Sequence, residues 1–189
     1  MRIIAGAYKG RPLKTTTGPG FRPAMGKVRE ALFSMLEARG VDWPNVRVLD
    51  LFAGSGSLGF EALSRGAAQV CFVESASYAV KIIAANADLL GVASGRVSLQ
   101  RADVVKALSR RAENSYDVVF IDPPYSLEVL SSTISALIRQ AWAQPGAVIN
   151  AEIESKQPFD PHNVHSALEL LVDRAYGQTR VVLWNMNRV

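Results

Sequence analysis

A chain of 189 residues, 49% of them hydrophobic, can bury one sizeable core. Its single cysteine, Cys71, excludes an intrachain disulfide framework. Without a long apolar run or a signal-peptide pattern, the expectation is a soluble, cytoplasmic, monomeric protein that binds no metal.

The net charge is only +4, but it is unevenly placed. Arg2, Lys9, Arg11, Lys14, Arg22, Lys27 and Arg29 all precede the first acidic residue, Glu30, so the remainder is net negative. Clustered positive charge interspersed with Gly, Pro and Tyr suits contact with a polyanion such as a nucleic acid; a solvated surface segment is the alternative.

In chain order, "RIIAGAYKGRPLKT" reads as two short strands about a Lys9-Gly10 turn, a basic β-hairpin. "TGPGFRP" reads as loop. Pro23 then opens a helix on which Met25, Val28, Leu32 and Met35 or Leu36 recur at helical spacing, ending at Gly40. Strands and helices alternate from there. "VRVLDLF", "QVCFVE", "RVSLQRAD", "YDVVFID" and "GAVINAEI" read as strands. Between them, "SLGFEALSRGA", "SYAVKIIAANADLLG", "VVKALSRRA" and "LEVLSSTISALIRQAWA" read as helices. Unbroken Val, Ile and Phe runs mark strands covered on both faces, as in parallel sheets. "ALELLVDRAYGQTRVVLW" instead reads as two strands joined near Gly177, an antiparallel pair closing one edge. The expected architecture is a doubly wound α/β domain over 23–189, a seven-stranded, mostly parallel Rossmann-like sheet, preceded by a basic arm over 1–22.

"DLFAGSGSLG" follows the first parallel strand and enters a helix. Gly54, Gly56 and Gly59 satisfy G-x-G-x-x-G, and Glu74 ends the next strand where a ribose-binding acid is expected. The loop suits either a dinucleotide or S-adenosylmethionine, since both carry an adenosine; a tight turn without ligand is the bland alternative. Asp50 favours S-adenosylmethionine, because a carboxylate fits its ammonium or sulfonium better than a pyrophosphate. Asp103 suits an adenine amino group, and equally an N-cap for the helix that follows.

Asp50, Glu74, Asp103 and Asp122 fall at the carboxyl ends of consecutive strands, where ligands sit in open α/β sheets. Asp122 opens "DPPY", a rigid extended corner. An exocyclic amine entering it could donate one N–H to the Asp122 carboxylate and the other to the Pro123 carbonyl, with Tyr125 stacked on the base. Two acceptors favour a pyramidal amine whose lone pair points at a methyl on sulfonium. Positioning and electrostatics would then supply the acceleration.

"DLFAGSGSLGFEALSRGA" together with "DPPY" resembles the 16S ribosomal RNA guanine-N2 methyltransferase family of S-adenosylmethionine-dependent amino-methylases. The likeness extends to "RIIAG", "RP....VRE.LF", "VFIDPPY" and "YGQT", nearly the whole chain. It implies a class I methyltransferase fold and methyl transfer to the N2 of one guanine in 16S rRNA, within an assembled or assembling small subunit. Carried over by position, Asp50, Ala53, Gly54, Gly56, Glu74 and Asp103 would hold the cofactor. Asp122, Pro123 and Tyr125 would hold the guanine. Arg2, Lys9, Arg11, Lys14 and Arg22 would clamp RNA, with Arg29 a further candidate. Ala24-Met25-Gly26 stands where the family usually has Thr-Thr-Asp, so any polar contact those side chains make is missing here.

Other readings remain open. A DNA adenine or cytosine amino-methylase would use the same corner. A nicotinamide-dependent oxidoreductase would use the glycine loop and leave the prolines unexplained. A non-catalytic RNA-binding assembly factor would need no chemistry. Cys71 reads as core, which argues against 5-methylcytosine chemistry. His162 and His165 read as surface, and Trp43, Trp142 and Trp184 as packing.

Overall fold

The structure is a computed structural model that describes residues 1–15, 25–123 and 127–187. Five helices flank one sheet: α1 (Met25–Glu37), α2 (Ser57–Arg65), α3 (Ser77–Leu90), α4 (Val104–Ala107) and α5 (Leu127–Arg139). The strands are β1 (Arg47–Leu51), β2 (Gln69–Glu74), β3 (Val97–Arg101), β4 (Tyr116–Ile121), β5 (Ala143–Glu154), β6 (Leu168–Tyr176) and β7 (Thr179–Met186). Their spatial order is β3-β2-β1-β4-β5-β7-β6. β1 to β5 pair in parallel, and β7 runs antiparallel to both β5 and β6.

Alternate strand residues feed two cores, which is why the central strands are apolar throughout. Val48, Phe72 and Phe120 pack with Leu32 and Phe33 of α1, Phe60 and Leu63 of α2, and Ile83 of α3. Leu49, Cys71, Val119 and Ile121 pack on the other face with Val104 of α4 and Leu130, Ile134 and Leu137 of α5. Cys71 is buried core, as are Trp142 and Trp184. Gly59 lets α2 lie close on β2: a Cβ there would sit 2.3 Å from the Phe72 ring.

Several element bounds differ from the expectation. The helix read over 127–143 stops at Arg139, because Ala141 turns the chain with φ 58, and β5 begins at Ala143. The helix read over 104–112 is one turn, Val104–Ala107. α1 is described from Met25 and stops at Glu37; Pro23 lies outside the described residues.

The N-terminal arm folds back on itself, but not as a regular hairpin. A single antiparallel bridge joins Arg2 and Pro12, with Ile3 N donating to Arg11 O at 3.1 Å and Leu13 N to Met1 O at 2.9 Å. A longer ladder is absent because the intervening backbone is bonded to α2 instead. Ile4 N and Ala5 N donate to the Glu61 carboxylate at 2.8 and 3.0 Å. Ala7 N donates to Ser64 O at 2.6 Å, and Tyr8 N to Ser64 Oγ at 2.9 Å. Gly6 has φ +81, and a Cβ on it would lie 1.8 Å from Ser64 O, so only glycine permits this approach. Ile3 and Leu13 are buried within the same core as α1 to α3.

Candidate active site

The carboxyl ends of β1, β2 and β4 converge on the loop between β1 and α2. Phe52 and Gly54 have φ of 57 and 56, and Gly56 caps α2 with φ 76. A left-handed Phe is a strained residue of the kind that clusters at ligand clamps. The loop is held by side chains from both directions. Glu74 Oε2 accepts from Gly54 N at 2.9 Å, while Oε1 accepts from Ala76 N at 2.8 Å. Asn86, fully buried on α3, donates to Ser55 O at 3.1 Å.

Asp50 lies at 2% exposure beneath this loop, and Oδ2 accepts from Gly59 N at 2.9 Å in the first turn of α2. Burial pushes its carboxyl up to about 8; the Gly59 N–H opposes the rise, and the Asp122 and Glu74 charges add to it. Ala53 lines a cleft with Arg29, Asp50, Phe52, Ser57, Leu58, Asp122 and Glu152. Asp50, Asp122 and Glu152 thus face one space from three adjacent strands. Glu152, half-buried on β5, is also pushed up to about 8, by burial first and then by Asp122 and Asp50, against the pull of Arg29.

Asp103 is exposed and caps α4, accepting from Lys106 N at 2.9 Å, so its capping reading is realised in the structure. Asp122 is exposed and Pro123 half-buried at the end of β4. Tyr125 and Arg22 lie outside the described residues.

The arm's cations differ in what they do. Arg2, Lys9, Arg11 and Lys14 are all exposed. Arg2 donates to Gly10 O at 2.7 Å. The Arg11 guanidinium donates to Leu89 O, and to Leu90 O at 2.8 Å, capping the negative end of the α3 dipole. Lys14 is anchored through its backbone, with N donating to Asn86 Oδ1 at 2.8 Å and O accepting from Asn86 Nδ2 at 3.0 Å. Arg29 is only 4% exposed and pins the arm, donating to Arg2 O and Met1 Sδ, each at 2.6 Å. Burial lowers its pKa, and Glu61 and Glu152 offset part of that.

The sequence reading missed Glu152, Glu61, Ser64 and Asn86. Glu152 had a usable signal: Asn150 and Glu152 alternate as polar residues in an otherwise apolar strand, placing both on one face.

A family profile described as "Conserved hypothetical protein 95" matches residues 1–185. The chain is 36% identical to ribosomal RNA small subunit methyltransferase D of Haemophilus influenzae, covering 84% of this chain and 81% of that protein. Identity to the Escherichia coli K12 protein of the same name is 35%, over 86% and 80%. Among solved structures, the Escherichia coli protein yhhF superposes with a TM-score of 0.85 at 30% identity, covering 99% of this chain and 98% of that one. A magnesium protoporphyrin IX methyltransferase from Synechocystis, solved with bound S-adenosylmethionine, shares the fold at a TM-score of 0.70 and 16% identity, over 91% and 86%.

Proposed function

The chain belongs to the conserved hypothetical protein 95 family, and from that membership we propose that it is an rRNA methyltransferase. It transfers a methyl group from S-adenosylmethionine to the N2 amine of a guanine in 16S rRNA, within an assembled or assembling small subunit. The observation that carries the reading is the crowding of Asp50, Asp122 and Glu152 around one cleft beyond the strand ends.

The Asp50 carboxyl, held above its ordinary range by burial and by the Asp122 and Glu74 charges, suits a cationic ligand, which relieves both. S-adenosylmethionine fits that donor set, and it supplies an electrophilic methyl on a sulfonium. Asp50 would face its cationic end, the Ala53 to Gly56 loop would approach it through backbone, and Glu74 would accept from its ribose hydroxyls. Asp103 would hold the adenine amino group.

At the substrate side, the Asp122 carboxylate accepts one N–H of the amine and the Pro123 carbonyl the other. This localises the nitrogen lone pair and orients it toward the cofactor. The proton that the amine sheds leaves along the Asp122 contact, which is open to water. Tyr125 stacks on the base, worth roughly 1–3 kcal/mol. Lys9 and its neighbours neutralise phosphates. In the cell, the reaction takes place in the cytoplasm and is carried out by a monomer.

The test is transfer of labelled methyl from S-adenosylmethionine to three substrates: unmodified small ribosomal subunits, free 16S rRNA and duplex DNA. N2-methylguanosine in the RNA digests is the expected product. Label in DNA points to the amino-methylase of adenine or cytosine, and no label with cofactor still bound to a non-catalytic assembly factor.

A further inference from the structure

The proposed corner explains how an amine is held, but not why guanine is chosen. Adenine and cytosine also carry exocyclic amines, and Asp122 with the Pro123 carbonyl would accept either. What separates guanine is the neighbouring ring position, where it has an N1–H donor and the other two bases have a lone pair. A guanine-selective site therefore needs a third acceptor beside the first two.

The register of the sheet supplies one. β4 and β5 run in parallel with Phe120 opposite Asn150 and Ile121 opposite Ala151, so the next step sets Asp122 beside Glu152. Asp50 pairs with Phe120 across β1 and β4, which puts Asp50, Asp122 and Glu152 on one face of the sheet. All three line the same cleft with Arg29. Among the described residues no hydrogen bond and no ion pair within 4 Å engages the Glu152 carboxylate. Arg29 Nε, in the cleft wall, makes no hydrogen bond and lies 3.6 Å from Glu61 Oε2 rather than on Glu152. A half-buried carboxylate without a donor is costly unless a ligand completes it.

We infer that Glu152 is the specificity-determining residue, its carboxylate accepting the N1–H of the guanine whose amine sits between Asp122 and Pro123. The assignment rests on the guanine-N2 reading above. A carboxylate at this point attracts N1–H and repels a ring-nitrogen lone pair, so attraction to guanine and rejection of adenine and cytosine come from one group. Sites built to hydrogen-bond a substrate N–H discriminate strongly against analogues that lack it.

The experiment uses the full chain with unmethylated small subunits. Labelling by the wild type first maps the modified guanine. Reconstituted subunits then carry 2-aminopurine at that position, a base that keeps the C2 amine but presents a lone pair at N1. The wild type is expected to prefer guanine by roughly 10- to 100-fold in kcat/KM, the discrimination of one well-placed base-edge contact. Glu152→Gln, whose amide can donate to N1, is expected to bring the two bases within about threefold. Glu152→Ala should slow transfer to guanine and, by removing the repulsion of the N1 lone pair, modestly speed transfer to 2-aminopurine. Cofactor Kd, measured by calorimetry, should be the same in all three proteins. An undiminished preference in Glu152→Gln, or a change confined to cofactor affinity, overturns the assignment. A wild type that labels no guanine N2 at all overturns the underlying reading instead.

Discussion

Glu61 and Glu152 are two carboxylates with opposite circumstances. Glu61 has no exposed surface, yet it is surrounded by donors: Ile4 N, Ala5 N, Arg65 Nε at 3.1 Å and Arg29 Nε at 3.6 Å. Glu152 is less buried, faces Asp122 and Asp50 across the cleft, and has no such donors among the described residues. The fold therefore completes the hydrogen bonding of the acid that fastens the arm and leaves that of Glu152 to a ligand. A buried charge is structural where its partners are built in, and points to function where they are not.

Four experiments would break or sharpen this contrast. The largest effect is expected at Asp122: Asp122→Ala should lower methyl transfer by at least about 100-fold while leaving cofactor Kd nearly unchanged. Single-turnover rates beside calorimetry would show it, and near-normal turnover would remove Asp122 from the amine site. Glu61→Ala should destabilise the protein by roughly 3–5 kcal/mol in denaturant unfolding, because it strands Arg29 and the arm's N–H groups. A loss under about 1 kcal/mol would mean that the arm is held by Ile3 and Leu13 alone.

The third experiment concerns pH. Asp50 and Glu152 are raised in the folded state to about 8, above their unfolded values. Their neutral forms are favoured by folding, so this contribution is fully present below about pH 4 and is lost as pH rises toward 8. Thermal melts of the ligand-free protein should show Asp50→Asn gaining stability relative to wild type as pH increases from 5 to 8, while losing cofactor affinity. A difference in Tm independent of pH would mean that Asp50 is not held in this state. The smallest effect should come from the arm: Lys9→Ala should reduce the salt dependence of RNA binding by about one phosphate contact. Lys9 is a cleaner probe than Arg11, whose guanidinium already caps α3.

Which of these features the sequence made visible follows from how local their causes are. The strand runs, the C-terminal hairpin about Gly177 and the acids at four strand ends are patterns within a few residues, and all appear in the fold. The arm's attachment was not visible, because Glu61 and Ser64 sit on an ordinary amphipathic helix and bond backbone 56 or 57 residues away. Asn86 likewise ties Lys14 to Ser55 from α3 without any local signature. Asp103 was read both as a cap and as a ligand acid; only its capping bond is made within the protein. Glu152 was legible as a polar alternation in "INAEIE", but its meaning depends on lying beside Asp122, and only strand order supplies that.

The central claim, that the cleft acids gathered beyond the strand ends are completed by a cationic cofactor at Asp50 and a base at Glu152, is tested most directly by proton-linked calorimetry. S-adenosylmethionine is titrated into the protein at pH 7 in two buffers of different ionisation enthalpy. A cation that draws Asp50 back toward its ordinary range must release protons, so net release that falls in Asp50→Asn is the predicted result. Binding without proton release would contradict the account.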